Sequence, residues 1–142
     1  MKLYVAGKYG TKRVSSLMQD IVDSPDHELT CDWRMLPADY KPYFKNVGKN
    51  RPLADQMAQA VKDADIFILV LGDNLYGAMV ELGVALAEGK RVWIGLEFDA
   101  ASGRELEHRK SIFMCASNVK YMDLEIIREN LMLLVTPPLT TG

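Results

Sequence analysis

Apolar residues recur along this chain in two alternating rhythms. KLYVAG, residues 2–7, is a short run of strand formers closed by Gly7, and it predicts a first strand ending in a turn. Val14, Leu17, Met18, Ile21 and Val22 follow at helical spacing, so residues 14–22 predict an amphipathic helix that Pro25 stops. A weaker strand is predicted over 27–33. Residues 36–52, with Pro37, Pro42 and Pro52, predict irregular chain, and 53–64 predict a helix with Leu53, Met57, Ala60, Val61 and Ala64 facing inward. Asp65 opens IFILVLG, an unbroken apolar run of the kind buried on both faces of a parallel sheet. A third helix is predicted from Gly77 or Ala78, a fourth strand over 91–96, a fifth over 118–121, and a last helix over about 123–134.

Alternating strands and helices of this kind predict an α/β three-layer sandwich with a mainly parallel sheet of about five strands. In such folds ligands sit at the carboxyl ends of the strands, which gathers three loops: 7–13, 32–51 and 72–77. The length of 142 residues suits a single domain, expected over 1–136, with a frayed tail at 137–142. With 49% hydrophobic and 25% charged residues the composition is that of a soluble globular protein. A net charge of -2 gives no global reason to expect nucleic acid or an acidic membrane, so any phosphate binding must be local. Cys31 and Cys115 form neither a disulfide framework nor a zinc motif and are expected as reduced core thiols in a cytoplasmic protein. No apolar run reaches the ~18 residues of a membrane span, and the N-terminal run is too short for a signal peptide.

Between Ala78 and Ala87 the only charged residue is Glu81, set among Met79, Val80, Leu82, Val84 and Leu86. A helix starting near Gly77 or Ala78 places it in the first turn or just past it. There the exposed N–H groups and the positive end of the dipole are expected to keep the carboxylate ionised, as a nucleophile or hydrogen-bond acceptor. A capping box would need Ser, Thr, Asp or Asn three residues earlier, where Ala78 stands. A catalytic role and a plain dipole or salt-bridge role both remain open at this point.

The combination of LYVAG, CDW, DADIFILVL and YGAMVELGVALAEGKRVWI resembles the nucleoside 2-deoxyribosyltransferase family, including its nucleoside 5′-monophosphate N-glycosidase branch. The most telling motif is ELG-x-A-x-A-x-GK, here Glu81 to Lys90; the likeness covers about residues 2–97, with a weaker echo in SIFMCASNVKYMD, 111–123. It implies a flavodoxin- or Rossmann-like sheet. It also implies an enzyme that cleaves the N-glycosidic bond of a (deoxy)nucleoside or its 5′-monophosphate, by hydrolysis or base exchange. In that family the motif glutamate attacks the anomeric carbon as the base departs, and water or a second base resolves the glycosyl-enzyme intermediate. The resemblance gives that role to Glu81, and to Tyr4 that of a first-strand tyrosine orienting nucleophile and sugar; a tyrosine merely packed on a helix is the alternative. Gly7 and Gly77 fall where backbone approaches a ligand or turns sharply, or are ordinary turn glycines. Relatives whose subunits complete each other's pockets imply a homo-oligomer.

The chain departs from the resemblance at the leaving-group acid. The family carries a carboxylate on the helix before the third strand, and the matching position is Met57. The nearest acid, Asp55, is the catalytic candidate left on that helix; it is ~200° away around it and points away unless the helix is shifted or starts later. Asp32 and Asp73 are further carboxylates that could protonate or hold a base. Trp33 either stacks on a base or covers the core edge, and Asp32 alternatively caps the following turn. GKYGTKR offers Lys8, Lys12 and Arg13 beside a helix N-terminus, a phosphate site without the Walker A spacing. KPYFKNVGKNRPL carries Lys41, Lys45, Lys49 and Arg51, with Tyr40, Tyr43 and Phe44 nearby, and reads as a solvated loop or a lid. The polar stretch 99–110 predicts an exposed loop or short helix, and Met114, Met122 and Met132 are expected in the core. The expected partner is a small-molecule nucleoside or nucleotide, with no nucleic acid, membrane, cofactor or, given isolated His27 and His108, metal. A non-catalytic nucleotide-binding or sensing module of the same fold is the alternative that Met57 permits.

Overall fold

The computed structural model describes residues 1–36, 41, 45–72, 75–96 and 112–135. Tyr40, Tyr43, Phe44, Asp73, His108, the stretch 99–110 and the tail 137–142 lie outside these residues. Strands β1 (Lys2–Ala6), β2 (Glu28–Leu29), β3 (Ile66–Val70), β4 (Arg91–Leu96) and β5 (Val119–Asp123) form one sheet in the order β2-β1-β3-β4-β5. Every pairing is parallel, with Tyr4 opposite Phe67 and Phe67 opposite Val92. This is the strand order of flavodoxin-like doubly wound sheets, and the α/β expectation holds. All five residues of β3 are buried, as a central strand covered on both faces must be.

Among the described residues four helices cover the sheet: α1 (Lys12–Asp23), α2 (Val47–Asp63), α3 (Tyr76–Ala87) and α4 (Leu124–Val135). Helices α2 and α3 pack side by side on the face that carries Tyr4 and Phe67, whose rings stack at 5.7 Å. Helices α1 and α4 cover the other face, tied by an ion pair from Arg128 Nε to Asp20 Oδ2 at 2.9 Å. Val14, Leu17, Met18 and Ile21 of α1 are buried as their spacing predicts, while Val22 lies at the edge of the apolar stripe, 48% exposed. Contact on this second face is close. A Cβ at Gly7 would stand 2.7 Å from Val14 Cγ2, and one at Gly95 of β4 would stand 2.5 Å from Leu124 Cδ2.

Three boundaries differ from expectation for local reasons. Strand β2 is only two residues long, because Asp32 accepts from the Arg34 amide at 3.2 Å and turns Trp33–Met35 into a short 3-10 helix. Helix α2 begins at Val47 rather than residue 53 and carries Pro52 inside it. The missing N–H of Pro52 costs one helical bond, and the carbonyl its ring crowds belongs to Gly48, which has no side chain to add to the crowding. Helix α3 begins at Tyr76, so Gly77 lies within its first turn and is exposed, rather than forming a turn ahead of it.

Of the cysteines and methionines expected in the core, Cys115 and Met132 lie outside it. Cys115 is exposed and Cys31 only half-buried, both as free thiols. Met132 is 71% exposed, whereas Met114 is buried and Met122 packs against the core from its edge. No helix among the described residues is long and apolar enough to cross a membrane.

Candidate active site

Parallel register delivers Tyr4 to the middle of β1, fully buried, with its ring laid on Phe67. That stacking leaves the hydroxyl as the polar end of an otherwise apolar side chain, and burial obliges it to find a partner. It donates to Oε2 of Glu81, which α3 brings over the same face of the sheet. The two residues are 77 positions apart in sequence and meet only because β1 and β3 are neighbours and α3 follows β3.

The electrostatics of Glu81 overturn the expectation of an ionised carboxylate. Burial pushes its pKa from 4.5 up to about 8, so at neutral pH the carboxyl is mostly protonated. The cause is positional. With α3 starting at Tyr76, Glu81 lies past the first turn, where the free N–H groups and the dipole's positive end no longer reach it. Loss of water then outweighs the single hydrogen bond from Tyr4.

Around this pair the predicted site residues divide. Asp32 is held by Arg34, which donates from Nε to Oδ1 at 2.8 Å and from Nη2 to Oδ2 at 2.7 Å. These hydrogen bonds hold its carboxyl below the usual carboxylate range, which suits an acceptor and not a proton donor. Of the two readings of Asp32, the structure displays the turn cap. Trp33 is 6% exposed, and its indole N–H donates to the Val5 carbonyl at 2.6 Å, pinning the turn after β2 to the end of β1. The exposed aromatic beside it is Tyr9, 56% exposed and tilted against Trp33 with centroids 6.0 Å apart. Lys8 is exposed in the loop between β1 and α1, where Gly10 turns the chain at φ 83°. Gly7 meets α1 closely, as noted above.

On α2, Asp55 is exposed and Met57 half-buried against the core. The two side chains therefore leave α2 on different sides. Met57 lines a cavity of about 340 Å³ together with Thr30, Cys31, Asp32, Leu53 and Gln56. Burial, with Asp32 adding to it, pushes the Cys31 thiol up, so the thiol faces this cavity in neutral form. Sequence reasoning passed over Arg34, although an arginine two residues after a turn-capping aspartate is a readable sign that the carboxylate is already engaged. Gln56 and Tyr9 carry no such sign.

Among the described residues no group of three or more His, Cys, Asp or Glu side chains could hold a metal ion. His27 is buried and hydrogen-bonds through Nε2 to the Leu131 carbonyl at 2.9 Å, which ties the start of β2 to α4.

No protein-family model matches the chain, and no curated protein does. A solved structure that is similar is that of Clostridium botulinum CMP N-glycosidase, BcmB, with a TM-score of 0.56 and 20% identity over 94% of this chain and 99% of that one. Similarity that spans both chains almost end to end at so low an identity establishes the shared fold, a five-stranded parallel sheet flanked by helices on both faces.

Proposed function

We propose that this protein cleaves the N-glycosidic bond of a (deoxy)nucleoside or its 5′-monophosphate, with Glu81 as nucleophile and Tyr4 as the group that holds it. The observation that carries the proposal is the Tyr4–Glu81 pair: a half-buried carboxyl on α3 whose hydrogen-bond partner is a fully buried hydroxyl on β1. The sequence resemblance assigns these two residues to the reacting centre, and an enzyme named for cutting CMP has the same architecture. In the ionised state a Glu81 oxygen attacks the anomeric carbon while the base departs from the opposite face. Water or a second base then takes the sugar, so hydrolysis and base exchange differ only in the acceptor. In this reading Lys8 and the start of α1, at the carboxyl end of β1, meet a phosphate, with Gly7, Asp32 and Trp33 from the loops at the same end of the sheet and Gly77 from the first turn of α3 around the ligand; Asp73, which the sequence adds to this set, lies outside the described residues. Asp55, exposed on α2, has no part in this arrangement.

A non-catalytic nucleotide-binding or sensing module is the second reading. It is favoured by Met57 standing where the resemblance expects an acid, and by the high pKa of Glu81. Incubation with a panel of deoxynucleosides and their monophosphates separates the two. The enzyme reading expects free base from wild type and a loss of roughly 10⁴–10⁶-fold in rate for Glu81→Ala, as removal of a nucleophile brings elsewhere. Ligand binding with no base released by wild type would leave only the sensor. Free sugar or sugar phosphate among the products marks hydrolysis, and a new nucleoside marks exchange.

A further inference from the structure

Tyr4 and Phe67 are direct partners in the β1–β3 ladder, and Val92 of β4 is the partner of Phe67, so the three side chains stand in one row on one face of the sheet. All three are fully buried. The Tyr4 and Phe67 rings lie at 6° to one another with centroids 5.7 Å apart, an offset stack. On the other side of Tyr4 the row ends, because β2 stops at Leu29, the partner of Leu3. Among the described residues Phe67 is the one ring stacked on Tyr4.

The Tyr4 hydroxyl lies at the far end of its ring from the backbone, so a small tilt about Cβ swings it through a much larger distance. Phe67 blocks that swing toward β3. Its own place is fixed by ladder bonds to strands on both sides, on a rigid central element of the sheet. The bond from the Tyr4 hydroxyl to Glu81 Oε2 thus depends on a ring that has no polar atom of its own.

We propose that Phe67 is a positioning residue for the reacting pair: by stacking on Tyr4 it holds the hydroxyl against Glu81, and it acts on the carboxyl through Tyr4 alone. The kinetic consequence rests on the glycosidic reading above; the contact itself does not. A hydroxyl that donates to a carboxylate favours the ionised form, so freeing Tyr4 moves the titration of Glu81 above its present value of about 8. No charged neighbour contributes to that value, which burial sets. Tyr4 meets Glu81 from β1, β3 carries no titratable side chain, and α2 turns Met57, Ala60 and Val61 toward the core.

Carbon NMR of the Glu81 side-chain carboxyl, assigned with Glu81→Gln and followed against pH in wild type, Tyr4→Phe, Phe67→Leu and the double variant, tests this. Tyr4→Phe is expected to raise the titration midpoint by about 1–2 pH units, the worth of a hydrogen bond to a charged group. Phe67→Leu is expected to raise it in the same direction, and the double variant no further than Tyr4→Phe alone, since both changes remove one bond. Phe67→Met, near in volume and without a ring, carries the same expectation and serves if Phe67→Leu does not fold. Folded Phe67 variants with an unmoved midpoint and only lower stability make Phe67 ordinary core packing and overturn the proposal. A midpoint that falls, because water enters where the ring was, also overturns it, as does a double variant that exceeds Tyr4→Phe. So does a Tyr4→Phe midpoint equal to that of wild type, which leaves no bond for Phe67 to hold. Where wild type releases base, kcat of Phe67→Leu is expected to fall by up to about 10²-fold with KM little changed, as a ~1 Å misplacement does, and a loss through KM alone counts against positioning. The titrations need no substrate, so a protein that releases no base sinks the glycosidic reading and still leaves this contact to be decided by NMR.

Discussion

At Glu81 desolvation and a tyrosine hydroxyl compete for one proton, and desolvation wins. Two pH effects follow with opposite signs. A nucleophile must be ionised, so kcat/KM is expected to climb with pH until about 8 and then level off. Stability moves the other way. The folded-state pKa lies above the ordinary value of 4.5, so between that value and about 8 the folded chain holds a proton that the unfolded chain has released. The contribution is fully present at low pH and is lost as pH rises through that window. Urea midpoints of wild type should therefore fall from about pH 5 to about pH 8 relative to those of Glu81→Gln, whose amide does not titrate. A wild-type profile parallel to that of Glu81→Gln would refute the buried-proton account. Sequence reading singled out Glu81 through its apolar neighbours yet misjudged its charge. The neighbours in sequence are visible in the chain, but the depth to which β1 and α3 bury the carboxyl arises only on packing.

Elements differ in how plainly they can be read. Strands β1, β3 and β4 are continuous apolar runs, and each appears within a residue or two of its predicted span. Helix α1 was equally plain, because one face is buried and the other wet. Strand β2 and the start of α2 were not. A two-residue edge strand has no periodicity to detect, and Pro52 marks a break that the extra helical residues 47–52 tolerate. Glycines that fit helices against strands are likewise silent in sequence. Gly95→Ala places a Cβ 2.5 Å from Leu124 Cδ2 and 3.0 Å from Ile127 Cδ1, so these side chains must repack or α4 must shift away from β4. The expected loss is about 1–3 kcal/mol of unfolding free energy by chemical denaturation. An unchanged midpoint would mean that Leu124 and Ile127 are not held tightly over Gly95.

For the whole molecule, a homo-oligomer, which the sequence resemblance implies, would find exposed apolar surface on the outer side of α3. Tyr76 is 81% exposed and Val80 70% exposed there, one helical turn apart, and the exposed Gly77 and Gly83 add no bulk. The same helix carries Glu81, so a second copy docked on this side would lie next to the reacting centre. Val80→Arg places a charge on that face and is expected to shift sedimentation toward the single chain, with base release falling in parallel if the neighbour completes the pocket. A variant that sediments as wild type does would exclude α3 from the contact.

The two tryptophans, Trp33 and Trp93, are 6% and 4% exposed, one in the 3-10 turn after β2 and bonded to the Val5 carbonyl, the other within β4 under the Arg91 guanidinium at 5.8 Å. Native emission should therefore be blue-shifted and poorly quenched by iodide, and it should redden on denaturation without any added dye. Tyr9 leans on Trp33 alone, so a ligand that moves the first loop would perturb one fluorophore and leave the other as an internal standard.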